Sequence, residues 1–171
     1  MTHDQRRTPA DSPTIARRGV AAPAATVVVR PVSAEDFAQW LPLWTGYNTF
    51  YKRVVPDAIT QSTWKRFFDE KEPVHALVAE ENGQLLGLVH YLFHRATAMI
   101  EDTCYLADLF TNERARGKGV GKKLIEAVYA TARAAGCSRV YWQTHETNAV
   151  AQVLYNNVAE RSGFIVYRQQ L

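Results

Sequence analysis

Residues 109–124 read LFTNERARGKGVGKKL. Gly117, Gly119 and Gly121 alternate with Lys118 and Val120, and Arg114, Arg116, Lys118, Lys122 and Lys123 make the stretch cationic. An apolar, strand-like run over roughly 103–111 precedes it. Behind it Val120, Leu124, Val128 and Ala132 recur at helical spacing, up to a stop at Gly136. A strand, glycine loop and helix in that order gather unpaired backbone N–H groups and the positive end of a helix dipole at one point. Such a point binds phosphate. Glycine lets the backbone approach an anion closely and form a nest around it. The surrounding cations suit a ligand with more than one phosphate.

Two nucleotide patterns fail here. A P-loop needs GxxxxGK followed by Ser or Thr. Gly121-Lys122 is followed by Lys123, and position 116 is Arg. The dinucleotide fingerprint GxGxxG needs glycine at position 122, where Lys stands, and belongs after a first strand. This loop comes after several.

Working outward, Val27–Arg30 is a β-branched run ending at Pro31 and reads as a first strand. Ser33 with Asp36 three residues on is an N-cap signal. Phe37, Trp40, Leu41 and Trp44 then repeat at helical spacing, with Pro42 expected to kink or interrupt the helix. A second helix is expected around 60–70, with Trp64, Phe67 and Phe68 on one side. Val74–Glu80 and Leu85–Phe93 form a hairpin about the Asn82-Gly83 turn. After the glycine helix, Ser138–Thr144 reads as a strand. Asn148–Ser162 reads as a helix with Ala151, Leu154, Tyr155 and Val158 repeating, and residues after Gly163 as a last strand. This order predicts an α/β domain: a mixed, mostly antiparallel sheet with helices on both faces.

The chain has 171 residues, 47% of them hydrophobic and 22% charged, enough for one domain with a proper core. A net charge of +3 is too mild to suggest nucleic-acid binding. No run of about 18 apolar residues could span a membrane. Cys104 and Cys137 read as thiols in a reducing cytoplasm, and no Cys/His cluster argues for a metal. His90 and His94 lie in a strand-like run, where their spacing does not make a metal site. Residues 1–25 carry arginines, Pro and Ala without a signal-peptide core and read as a disordered tail before a domain over 26–171.

Arg116-x-x-Gly119-x-Gly121 resembles the pyrophosphate loop of the GNAT superfamily of acetyl-CoA-dependent N-acetyltransferases. A second signature, Asn148-x-x-Ala151-x-x-Leu154-Tyr155 followed by Ser162-Gly163-Phe164, resembles the same family in order and spacing. YLADLF before the loop and LY in the late helix look most like its polyamine and small-amine branch. The resemblance implies the GNAT-like fold, acetyl-CoA as co-substrate, no metal, and transfer of an acetyl group to a small-molecule primary amine in a ternary complex. It also implies roles. The backbone of Leu109, Phe110 and Thr111 would pair with pantetheine, and an N–H near Leu109 would polarise the thioester. The amides of Arg116, Gly117, Lys118, Gly119, Val120 and Gly121, with Lys122 beside them, would hold the pyrophosphate. Tyr155 matches the general-acid position; the alternative for it is a core ring. Asn148 either caps the last helix or touches the cofactor.

The base is where this chain departs from the family pattern. The polyamine branch carries an acidic pair before the loop, as in YLED, but here Ala107 precedes Asp108. Another branch has Glu twelve residues before the tyrosine, where this chain has Gln143. Asp108 is then the first candidate, followed by Glu101, Asp102 and His145 acting through water. Asp108 could equally bind a cationic amine without taking its proton. Trp44, Tyr47, Phe50 and Tyr51 could wall the acceptor pocket or serve as core. With a single strand after Gly163, the family's usual further strand is missing, so a homodimer covering an open sheet edge is expected. Two other functions stay open: acetylation of a protein lysine or N-terminus, and a non-catalytic acyl-CoA-binding module.

Overall fold

The computed structural model describes residues 26–171; the expected tail over 1–25 lies outside them. A five-stranded sheet runs in sequence order: β1 (Val28–Pro31), β2 (Val74–Glu81), β3 (Gln84–His94), β4 (Thr103–Thr111) and β5 (Arg139–Tyr141). The first four pair antiparallel, and β5 joins β4 in parallel. Helices α1 (Phe37–Phe50) and α2 (Asp57–Arg66) cover one face; α3 (Val120–Ala134) and α4 (Ala149–Val158) lie on the other. This is the expected fold class.

Alternation along the strands sorts the core into two layers. Leu77, Ala79, Val89 and Tyr91 face α3, where Leu124, Ile125 and Val128 are fully buried. Val78 and Leu88 face α1, against Trp40, Leu43 and Trp44. The β2–β3 turn has Asn82 at φ 52° and Gly83 at φ 77°, the left-handed pair that an Asn-Gly hairpin needs. Asp36 accepts from the Ser33 backbone N–H at 2.8 Å and pairs with Arg30 at 2.6 Å, which ties the start of α1 to β1.

Several boundaries differ from expectation. Pro42 does not interrupt α1, which continues to Phe50. The proline forfeits one backbone hydrogen bond, and the burial of Trp40, Leu43, Trp44 and Tyr47 on the same helix outweighs it. Helix α2 begins at Asp57 and stops at Arg66, short of Phe67 and Phe68. Strand β5 has three residues rather than the seven of 138–144. Helix α4 ends at Val158, and no last strand forms over 159–171. A strand needs a neighbour for its backbone groups, and among the described residues none lies beside that segment; Phe164, Ile165 and Tyr167 are exposed.

Candidate active site

The glycine loop is built as its glycines demand. Asn112 accepts from the Arg114 backbone N–H at 3.0 Å and starts a short 3-10 turn over Glu113–Ala115. Gly117 and Gly119 then take φ 78° and 73°. Gly119 is the N-cap of α3 and leaves that end without a side-chain cap. Two loop amides are already used, since the Arg116 N–H donates to Glu113 and that of Lys118 to Ala115. The N–H groups of Gly117, Gly119, Val120, Gly121 and Lys122 have no acceptor among the described residues. These free donors at a helix N-terminus fit a diphosphate. Arg116, Lys118 and Lys122 form surface ion pairs with Glu113, Glu81 and Glu126 at 3.3, 3.1 and 3.7 Å. Such exposed pairs are weak enough to exchange for phosphate.

Upstream, β4 and β5 part. Their pairing ends at Tyr105–Tyr141, so among the described residues 106–111 has no strand on that side. An open backbone edge accepts an extended, amide-bearing chain as an added strand, and pantetheine is such a chain. A cavity of about 700 Å³ lies between α1 and the end of β4, with Phe110 on its wall and Arg116 at its rim.

Asp108 is turned into the protein by a β-bulge. Tyr91 pairs with Leu106 and His90 with Asp108, so Ala107 is the extra residue. Strict alternation would put Asp108 on the face of Leu106, against α3. The bulge reverses it onto the α1 face, where its carboxylate meets Nδ1 of His90 at 3.0 Å. Tyr47 lies nearby, its ring stacked on Trp44 at 5.7 Å, and Trp44 in turn lies 5.4 Å from the His90 ring. On its other side, His90 Nε2 receives the indole N–H of Trp40 at 3.0 Å. Indole only donates, so Nε2 must accept and Nδ1 must carry the proton. A doubly protonated ring would set two N–H groups against each other. His90 therefore donates from Nδ1 to Asp108. Burial pushes the Asp108 carboxyl up, but the His90 hydrogen bond, the Tyr47 hydroxyl and the Arg53 guanidinium outweigh it and hold it below the usual range.

The other candidates lie apart from this carboxylate. Glu101 and Asp102 stand just before β4, at its opposite end from Asp108, and Asp102 is within 3.0 Å of Arg95. His145 bonds Thr147 in the turn before α4. Asn148 caps α4, accepting from Ala151 at 3.4 Å and donating to Thr144 at 3.2 Å. Tyr155 lies edge-on to Trp142 at 5.4 Å between ring centroids. Burial, with a smaller contribution from nearby Tyr51, pushes its phenol up to about 12, so it keeps its proton at neutral pH. Trp44 is core, bonded to Thr60 at 3.2 Å, whereas Phe50 is exposed. Tyr47 is core as well.

Sequence reasoning passed over His90 as a functional residue. The available signal was a lone imidazole inside the apolar run of β3, a position where a titratable group requires a partner.

A model of the acetyltransferase (GNAT) family matches residues 37–159. The chain belongs to the GNAT acetyltransferase family. It is 38% identical over 145 residues to the D-amino-acid N-acetyltransferase HPA3 of Saccharomyces cerevisiae, covering 84% of this chain and 90% of that one. It is 30% identical over 141 residues to YhfO, an uncharacterized N-acetyltransferase of Bacillus subtilis, covering 81% and 94%. Among solved structures, an aminoglycoside N-acetyltransferase in complex with CoA superposes with a TM-score of 0.72 at 16% identity, over 88% of this chain and 99% of that one. This GNAT enzyme is an acetyl-CoA-dependent N-acetyltransferase. Among the described residues, no helix is long and apolar enough to cross a membrane.

Proposed function

We propose that this GNAT enzyme acetylates the primary amine of a small metabolite, an α-amino acid first among them, by direct attack within a ternary complex. The observation that carries this reading is Asp108, a carboxylate held ionised among aromatic rings beside the open edge of β4. Such a group attracts an ammonium. The name of the yeast relative supports amino acids over the polyamines suggested by the YLAD stretch.

Acetyl-CoA supplies the activated acyl group; the remaining work falls to this chain. The free N–H groups of 117–122 hold the pyrophosphate, and the main chain of Leu109, Phe110 and Thr111 aligns pantetheine. The Leu109 N–H polarises the thioester carbonyl. Tyr155 donates a hydrogen bond to the departing sulfur. With its phenol near 12 and an ordinary thiol near 8.5, Tyr155 stabilises a thiolate without surrendering its proton. Asn148 keeps its capping role.

Asp108 anchors the amine and does not deprotonate it. A carboxyl held below its usual range is too weak a base to take the proton of an ammonium whose pKa is about 8–10. The proton leaves through water, and Asp108 orients the amine for attack.

Thiol release from acetyl-CoA across amino acids, polyamines, aminoglycosides and lysine peptides tests the proposal. Turnover with small amines is expected. Turnover confined to peptides would move the assignment to protein acetylation, and none with any amine would leave an acyl-CoA-binding module.

Two finer expectations belong to the same reading. β5 is a three-residue edge strand, and the consecutive apolar residues Phe164–Tyr167 are exposed. A second copy of this chain, covering both, makes a homodimer, which light scattering checks through the mass. A reducing, cytoplasmic setting accords with two free thiols.

A further inference from the structure

The acceptor site carries a positive charge as well as a negative one. Helix α1 ends in a left-handed turn: the Lys52 N–H donates to Thr49 and the Arg53 N–H to Asn48. Lys52 has φ 54°, a left-handed conformation that favours glycine and strains a lysine. The turn brings Arg53 back over its own helix, its guanidinium carbon 5.1 Å from the ring centre of Tyr51 and 5.8 Å from that of Tyr47. Tyr47 stacks on Trp44 at 5.7 Å, and Trp44 lies 5.4 Å from the ring of His90, the hydrogen-bond partner of Asp108. Among the described residues, Arg53 has no ion-pair partner and its guanidinium donates no hydrogen bond. The charge lies close enough to favour the ionised Asp108.

A free cation at this place is the wrong sign for a ligand that is only cationic. It repels the ammonium that Asp108 attracts, and a polyamine would bring further positive charges toward it. Both charges suit a ligand that presents an ammonium to one and an anion to the other. The planar guanidinium, with five donors and none committed, matches a carboxylate in two parallel hydrogen bonds. The tyrosine faces beneath it hold it by cation–π attraction and restrict its movement.

We propose that Arg53 binds the α-carboxylate of the acceptor, so that Asp108 and Arg53 together select zwitterionic amino acids over plain amines. This rests on the small-amine acetyltransferase reading above. Lys52 sets the direction of Arg53 through the backbone and has no contact of its own with the acceptor.

Alanine and alaninamide, each in both hands, are the probes, with wild-type enzyme and the variants Arg53→Gln and Arg53→Lys. The measured quantity is kcat/KM for the acid divided by kcat/KM for the amide. Their unequal amine basicity cancels when this ratio is compared between enzymes. The expected result is a ratio that falls at least tenfold in Arg53→Gln, mostly through KM, with partial recovery in Arg53→Lys. Equilibrium binding of alanine and alaninamide to the CoA-saturated protein gives the same comparison without chemistry. Circular dichroism shows whether the variants are folded. A wild type that treats acid and amide alike overturns the role of Arg53 and leaves acetyl transfer standing. So does a ratio unchanged by Arg53→Gln, or a variant whose only defect is a raised KM for acetyl-CoA. Preferential binding of the acid without turnover of any amine would sustain Arg53 and overturn the catalytic reading instead.

Discussion

The indole N–H of Trp40 points at Nε2 of His90, 3.0 Å away, and that bond decides the polarity of the site. It makes Nδ1 the donor, and the donor faces Asp108. A buried tryptophan in α1 thus holds a carboxylate in β4 as an anion through one imidazole.

Replacing His90 with Phe keeps a flat ring but strands Trp40 Nε1 and removes a donor from Asp108. We expect a stability loss of about 1–3 kcal/mol by chemical denaturation. The Asp108 carboxyl rises, so the acid limb of kcat/KM for the amine moves to higher pH. His90→Gln, whose amide can both accept and donate, restores part of that limb. A pH profile identical to wild type in both variants would reduce His90 to packing.

Asp108→Asn keeps the shape and removes the charge. It lowers kcat/KM for the amine about 10- to 100-fold while acetyl-CoA binding persists. Stability should respond to acid as well. The folded-state carboxyl is lowered, so its stabilisation is present above the unfolded-state value near 4 and is lost as pH falls through and below it. The variant lacks that component, and its stability declines less over the same acid range. Thermal melts at stepped pH read this directly.

Tyr155→Phe removes the only donor proposed for the departing sulfur. Turnover falls on the order of 100-fold, with the KM for acetyl-CoA close to that of wild type. Steady-state kinetics decide the matter, since an unchanged kcat would take Tyr155 out of the mechanism.

Gly119→Ala tests the loop through backbone strain alone. An added Cβ meets nothing within 4 Å, but φ stays at 73°. The strain of about 1 kcal/mol distorts the start of α3. The KM for acetyl-CoA rises and kcat changes little.

Gly46→Ala tests the approach of α1 to β4. Its Cβ would lie 2.7 Å from Cζ of Phe110, inside contact distance. We expect about 1–3 kcal/mol of destabilisation by urea denaturation. Phe110→Leu, which clears the clash, recovers much of it in the double variant.

The sequence by itself determined the parts that depend on local chemistry. The Asn82-Gly83 hairpin, the glycine loop before α3 and the stripe Val120, Leu124 and Val128 each follow from neighbouring residues, because turns and helix faces are set within a few positions. Tyr155 and Asp108 were named there as candidates for the same reason, from motif position alone. Only the tertiary structure decided where their side chains lie and what they touch. Alternation would bury Asp108 against α3, but pairing with β3 places a bulge at Ala107 and turns the carboxylate toward α1. Trp40, His90 and Asp108 meet across fifty and eighteen residues of sequence, and no spacing rule reports such a meeting. Strand formation beyond Tyr141 failed for the same physical reason. A strand exists only where another backbone takes its hydrogen bonds, and that neighbour is supplied by the fold rather than by the segment itself.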